Sequence, residues 1–189
     1  MSDLTTKVLR AREAGAVKRL HTLPVVGHYD IAQHCYGMLV LFDVLCPMMK
    51  EEDMTYGDYE EELDWRMGLV THILYHDTHE RFTGDVPNGL RHLDKVSSSA
   101  GHFRELQEVV DNKLGYIQGD LSPHQYNWFK SLDRLEFLLT CYDQRALGNK
   151  NIEPCIAYEE KWFATSEIVP SEVRKFVADF EWRRTSNNL

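Results

Sequence analysis

Long apolar runs are missing from this chain of 189 residues. The longest, around Met38 to Leu45, is interrupted by Asp43 and falls well short of the roughly 20 residues that cross a bilayer. The opening MSDLTTKVLRAREAG has neither an apolar signal core nor a small-residue cleavage site, so a soluble, non-secreted protein is expected. Cysteine is scarce: Cys35, Cys46, Cys141 and Cys155 show no C-x-x-C spacing. Each falls in or beside an apolar stretch, which suggests four core thiols and a reducing cytoplasm, the host's if the protein is viral. Positive charge is also short, 21 Lys and Arg against 30 Asp and Glu, for a net charge of -9 and a pI near 5.4. The resulting field repels nucleic acid and anionic membranes, so neither is expected as a partner. An anionic substrate must instead be captured locally. No repeat, low-complexity tract or Pro/Gly/Ser-rich linker divides the chain, and 43% hydrophobic content suffices for a single domain over residues 1–189. Sustained period-2 alternation is absent as well, and strands are not expected.

What is present is helical. Asp30 with Gln33 resembles a capping box opening a very apolar helix from Ile31 to about Pro47, expected to be buried nearly all round. Asp58 with Glu61 opens a second, reaching about Asp77, with Leu63, Met67, Val70, Ile73 and Leu74 on one face. Ser122, Pro123 and Gln125 supply an N-cap, a first-turn proline and a reciprocal glutamine. The stripe Phe129, Leu132, Leu135, Leu139, Tyr142 follows, and Gly148 closes that helix. Weaker patterns cover 3–20, roughly 92–117, and 154–167, while Pro170 and Ser171 open a last helix reaching about Arg184. The expected fold is an all-α bundle of seven or eight helices, with its main loop at 83–89.

Four polar residues interrupt these apolar helices: His34 in the first turn of the Asp30-capped helix, His76 and Asp77 at the end of the next, and Asp133 midway along the Ser122-capped one. Taken singly, His34 reads as a hydrogen-bonded core histidine and Asp133-Arg134 as an exposed pair. A buried carboxylate, however, costs several kcal/mol, roughly, unless it is paired or bound to metal. Together the four suggest one shared cation. His72 and His76 stand four apart, but His72 is read as structural. His79-Glu80 does not satisfy HExxH, whose glutamate directly follows the first histidine.

The order His34, His76-Asp77, Asp133 matches the H…HD…D pattern of the HD-domain phosphohydrolases, and the flanks match too. Arg19-Leu20-His21-Thr22 resembles that family's R-x-H-T segment. His76-Asp77-Thr78-His79-Glu80 continuing to Thr83-Gly84-Asp85-Val86-Pro87 resembles its HD-x-x-E-x-x-T-G-D-x-P block, and Asp133-Arg134-Leu135-Glu136 its D-K-L-E. Similar proteins usually carry Glu-His-Ser where this chain has Gln33-His34-Cys35, a neutral amide in place of a charged neighbour.

The resemblance implies an HD-domain bundle whose His34, His76, Asp77 and Asp133 hold a divalent metal ion (zinc, cobalt or manganese), with magnesium possible beside a triphosphate. It implies catalytic roles for Glu80, orienting or deprotonating water, and Asp85, positioning water or protonating the leaving oxygen. Arg19 suits bidentate capture of phosphate. Arg91 and Lys95 would add charge for a longer chain of phosphates, and Leu20 and Pro87 would pack on base or sugar. The substrate class implied is a small-molecule deoxynucleotide. The form of the R-x-H-T segment favours a phage-type dATP triphosphohydrolase, releasing deoxyadenosine and triphosphate. This would deplete dATP in favour of 2-aminoadenine nucleotides, the wall near Pro87 excluding a 2-amino group. The alternatives are a 5′-deoxynucleotidase acting on monophosphates and a nucleotide-binding regulator without turnover, the latter motivated by Gln33. A homo-oligomer, dimer or hexamer, is expected, with Phe176, Phe180 and Trp182 of the last helix as a plausible interface.

Overall fold

The computed structural model describes residues 4–48, 55–85, 105, 108–110, 112 and 120–185. Among them seven α-helices are delimited: α1 (Leu4–Ala14), α2 (Ile31–Leu45), α3 (Tyr56–Tyr75), α4 (Glu80–Thr83), α5 (Pro123–Ala146), α6 (Glu153–Thr165) and α7 (Ser171–Thr185), with a 3-10 turn at Lys150–Ile152. No strand occurs among the described residues. An isolated antiparallel bridge joins Lys18 to Asp30. The all-α class expected from the missing alternation is the one the chain adopts. No helix is long and apolar enough to cross a membrane among the described residues. Most of the helix expected over 92–117, and the loop beyond Asp85, lie outside the described residues.

Local chemistry sets the helix starts. Gln33 N donates to Asp30 Oδ1 (2.9 Å) while Asp30 N donates to Gln33 Oε1 (3.2 Å), closing the expected box at α2. At α5, Gln125 N donates to Ser122 Oγ and Ser122 N to Gln125 Oε1, with Pro123 in the first turn. Gly148 follows that helix at φ +88°, a left-handed position that glycine fills without strain. The start of α3 differs from expectation. Its box lies one turn earlier, Asp58 Oδ2 accepting from Thr55 N (2.9 Å) and Thr55 Oγ1 accepting from Asp58 N (3.3 Å). Asp58 is thus the third helical residue and Thr55 the cap.

The chain divides into two compact units. The first comprises Met1–Cys35 and Thr71–Asp120. Its core holds Ala14, Tyr29, Ile31, Cys35 and Ile73. Here the connection after α1 is tied to the start of α2: Ala32 N donates to Gly15 O and Ile31 N to Val17 O, both at 3.1 Å, and Arg19 N donates to Tyr29 O at 3.0 Å. A Cβ on Gly15 would stand 3.2 Å from that of Ala32, so the missing side chain permits this approach. Arg81 of α4 pairs with Glu13 of α1.

The second unit comprises Tyr36–Val70 and Leu121–Leu189, with Met38, Phe42, Leu69, Leu132, Leu135, Leu138, Ile156 and Val173 buried. On α3 the expected inward stripe holds only in part: Ile73 is buried and Val70 half-buried, but Leu63, Met67 and Leu74 are exposed, and Arg66 and Leu69 are buried instead. This helix carries two apolar stripes, and burial goes to the side where Trp65 meets Phe42, with ring centroids 6.1 Å apart. Arg66 enters the same side because its guanidinium lies over Phe42 and donates to the carbonyl of Cys46 just past α2. Nor is α2 buried all round, since Tyr36, Val40 and Val44 are exposed at four-residue spacing. All four cysteines are free, but only Cys35 and Cys141 are buried. Phe176 and Phe180 stack on each other, and Phe180 also meets Tyr142, with centroids 5.2 Å apart.

Candidate metal centre

His34 lies in the first turn of α2 and is fully buried. Its Nδ1 is 3.1 Å from the hydroxyl of Tyr29. His76 follows the last residue of α3, its backbone N–H still bonded to His72 O. Its Nδ1 is 2.9 Å from the carbonyl of Ile73. A carbonyl only accepts, so Nδ1 carries a proton, which leaves Nε2 as the nitrogen that could bind a metal. The same tautomer in His34 places its Nδ1–H on the Tyr29 oxygen. The two imidazoles have centroids 5.5 Å apart, and His76 Nε2 is 3.1 Å from Asp77 Oδ2. Two imidazoles, each oriented from behind, present ring nitrogens suited to a divalent cation, with Asp77 beside His76.

Asp77 is buried and accepts from the guanidinium of Arg19. Burial pushes its pKa up, but His76, then Arg19 and His34, outweigh that effect and hold the carboxyl below the usual carboxylate range. His72, one turn before His76, is driven down to about 4 by burial, with His76 adding to the effect, and is neutral at physiological pH. That fits the structural reading of this residue.

Arg19 reaches Asp77 from a strained segment. Leu20, next in the chain, has φ +57°, a left-handed conformation that costs a side-chain-bearing residue roughly 1–2 kcal/mol. Its N–H donates to Asp85 Oδ2 at 2.9 Å, and the same oxygen is 3.7 Å from His21 Nδ1. Gly84, at φ +69°, turns the chain from α4 into Asp85. Glu80 opens α4 and is almost wholly buried, 1% exposed.

Of the residues expected from the sequence, Arg19, Leu20, His34, His76, Asp77, Glu80 and Asp85 thus belong to the first unit. Asp133 belongs to the second, half-buried on α5, with Oδ2 2.7 Å from Lys130 Nζ. Pro87, Arg91 and Lys95 lie outside the described residues. The sequence reading missed Tyr29. Its place beside His34 comes from the chain's entry into α2 five residues earlier, a relation no helical periodicity signals. Asp133 and Arg134 are not an exposed pair: Arg134 is pinned on α6, Nε 2.8 Å from Glu159 Oε2 and its guanidinium 4.3 Å from the Trp162 ring centre.

No protein-family profile matches the chain, and no curated protein matches it in sequence. Among solved structures, it is similar to the HD phosphohydrolase DatZ of cyanophage S-2L. The TM-score is 0.60 and the sequence identity 14%, over 96% of both chains. That protein was solved with dA and one catalytic Zn2+ ion. At this identity the likeness shows the fold alone, an all-α bundle like that of DatZ.

Proposed function

We propose that the chain is a metal-dependent phosphohydrolase of deoxynucleotides, and that its preferred reaction releases deoxyadenosine and triphosphate from dATP. The observation that carries this reading is the buried group of His34, His76 and Asp77, its imidazoles held from behind by Tyr29 and the Ile73 carbonyl and its carboxylate ion-paired with Arg19. It follows the H…HD order on a fold shared with a phosphohydrolase that binds a deoxynucleoside and zinc.

His34, His76 and Asp77, with Asp133 as the fourth ligand, would hold the ion, and zinc, cobalt or manganese suits such a set. When bound, a divalent cation supplies Lewis acidity that activates water and offsets phosphoryl charge. The protein's own groups do the rest. Buried Glu80, three residues after Asp77, takes a proton from the attacking water or orients it. Arg19, already beside Asp77, gives a guanidinium to a phosphate oxygen. Leu20 lies against the sugar or base.

Chromatography of reactions with each dNTP and dNMP, with and without chelator, tests this reading. Triphosphate and deoxyadenosine from dATP, abolished by chelator and by Asp77→Ala, are expected. Phosphate from monophosphates with no triphosphate from dATP would replace the reading by a 5′-deoxynucleotidase. Inertness toward all of them, with a nucleotide still bound, would replace it by a regulator.

A further inference from the structure

We propose that Asp85 is a positioning residue, whose carboxylate holds Leu20 in its left-handed conformation and thereby keeps Arg19 turned onto Asp77. The inference rests on the phosphohydrolase reading of the site and assigns one of its acidic residues a role other than proton transfer.

Leu20 is the one non-glycine residue at positive φ among the described residues. A branched apolar side chain in that region persists only where the surroundings enforce it. Three backbone bonds do so. Arg19 N donates to Tyr29 O at 3.0 Å, and Leu20 O accepts from Leu23 N at 2.9 Å, both within the turn between α1 and α2. The third comes from 65 residues away: Leu20 N donates to Asp85 Oδ2 at 2.9 Å. Being charge-assisted, it is the strongest of the three. His21 Nδ1, 3.7 Å from that oxygen, adds attraction when protonated.

Leu20 separates Arg19, whose guanidinium is on Asp77, from His21, which faces Asp85. Returning Leu20 to negative φ would rotate Arg19 and His21 relative to each other and draw one of them off its partner. Gly84 supplies the other half of the device. Its positive φ follows immediately on α4, and its N–H donates to Glu80 O at 2.7 Å, so Asp85 is delivered from the helix that carries Glu80. The T-G-D sequence thus ties the Arg19 segment to the Glu80 helix through an oxygen that accepts the Leu20 N–H.

The test compares Asp85→Asn, which keeps an acceptor oxygen, with Asp85→Ala, in amide hydrogen exchange at Leu20 and in the pH dependence of kcat/KM toward dATP. The Leu20 amide is expected to be protected in the wild type and in Asp85→Asn, and to exchange at least about tenfold faster in Asp85→Ala, the size of one lost charge-assisted bond. Asp85→Asn should exceed Asp85→Ala in kcat/KM by about the same factor, both limbs of the pH profile persisting in each. Equal exchange in all three proteins overturns the inference. So does an asparagine variant as inactive as the alanine one and missing one pH limb, because Asp85 would then carry a proton at the reacting centre. If Asp85→Ala does not fold, the same comparison is made in Leu20→Gly, since glycine takes φ near +57° without help. There Asp85→Ala should cost markedly less, and an undiminished cost overturns the inference. A wild type inert toward every nucleotide overturns the proposed function alone, and the exchange data then decide the Asp85 hold by themselves.

Discussion

The hydroxyl of Tyr29 stands 3.1 Å from Nδ1 of His34, the nitrogen on the far side of the ring from the proposed ligand atom. A bond at that position fixes ring orientation and tautomer together. Tyr29→Phe removes it while leaving the ring to fill the core. Affinity for zinc or manganese should fall by roughly 10–100-fold, the usual effect of losing a partner behind a ligating histidine. Competition with a chromophoric chelator measures this, and unchanged affinity with intact helicity would show that Tyr29 serves packing alone.

Gly37, one turn after His34, is where α2 lets a carboxylate pass. A Cβ there would meet Glu136 Cγ at 2.7 Å, too close to the base of that side chain for rotation of its tip to relieve. Glu136 is held in turn, accepting from Thr140 Oγ1 at 3.1 Å. Gly37→Ala should therefore destabilise the protein by about 1–2 kcal/mol, overpacking outweighing alanine's better helix propensity. Urea denaturation gives the number. The double variant Gly37→Ala/Glu136→Ala should lose less than the sum of the singles.

The starts of α2 and α5 were legible in the sequence because a capping box is a contact between residues three apart, its whole geometry contained in four letters. The order His34, His76-Asp77, Asp133 stood out because it sets polar residues into otherwise apolar helices, and their role as ligands is part of the proposed function. What escaped depends on tertiary choice. On α3, Leu63 and Met67 offer as good an apolar stripe as Leu69 and Ile73, and only the position of Phe42 selects between them. Arg66 looks like a surface residue until a carbonyl past α2 and an aromatic face claim it. Leu20 gave no warning either, since a leucine at positive φ contradicts its own preference and is held there by an aspartate far along the chain.

Glu159 makes stability depend on pH away from the site. Burial pushes its pKa from 4.5 up to about 7, against the lowering effects of Arg134 and Lys130, with Asp133 adding to the rise. Its carboxyl is almost fully buried on α6, with Cys141 and Cys155 near enough to feel its charge. For a raised carboxyl, the stabilising contribution is present in full below pH 4.5 and is lost as pH climbs through about 7. The shift corresponds to a change on the order of 3 kcal/mol between those limits. Melting curves at pH 5 and pH 8 should therefore separate more in the wild type than in Glu159→Gln. Comparing each protein with itself cancels any fixed cost of leaving Arg134 beside an amide. Equal separations would mean that Glu159 is ionised throughout.

Arg19 and Asp77 make the sharpest test of the site, because the guanidinium competes with a cation for the same carboxylate. Arg19 donates to Asp77 Oδ2, the oxygen 3.1 Å from His76 Nε2. With Arg19→Ala, Asp77 stays in place but loses a neighbouring positive charge, and a divalent cation no longer meets repulsion from a guanidinium. Metal affinity should then hold or rise. Phosphate capture should suffer, with KM for dATP up by roughly 10–100-fold, the size expected for one charge-assisted contact to phosphate. Asp77→Ala should do the opposite, losing the metal first and turnover with it. Isothermal titration with manganese, set beside KM and kcat for each variant, separates the two roles. If Arg19→Ala loses metal as Asp77→Ala does, the arginine is there to hold Asp77 in position, and the phosphate must be met by another cation of the chain.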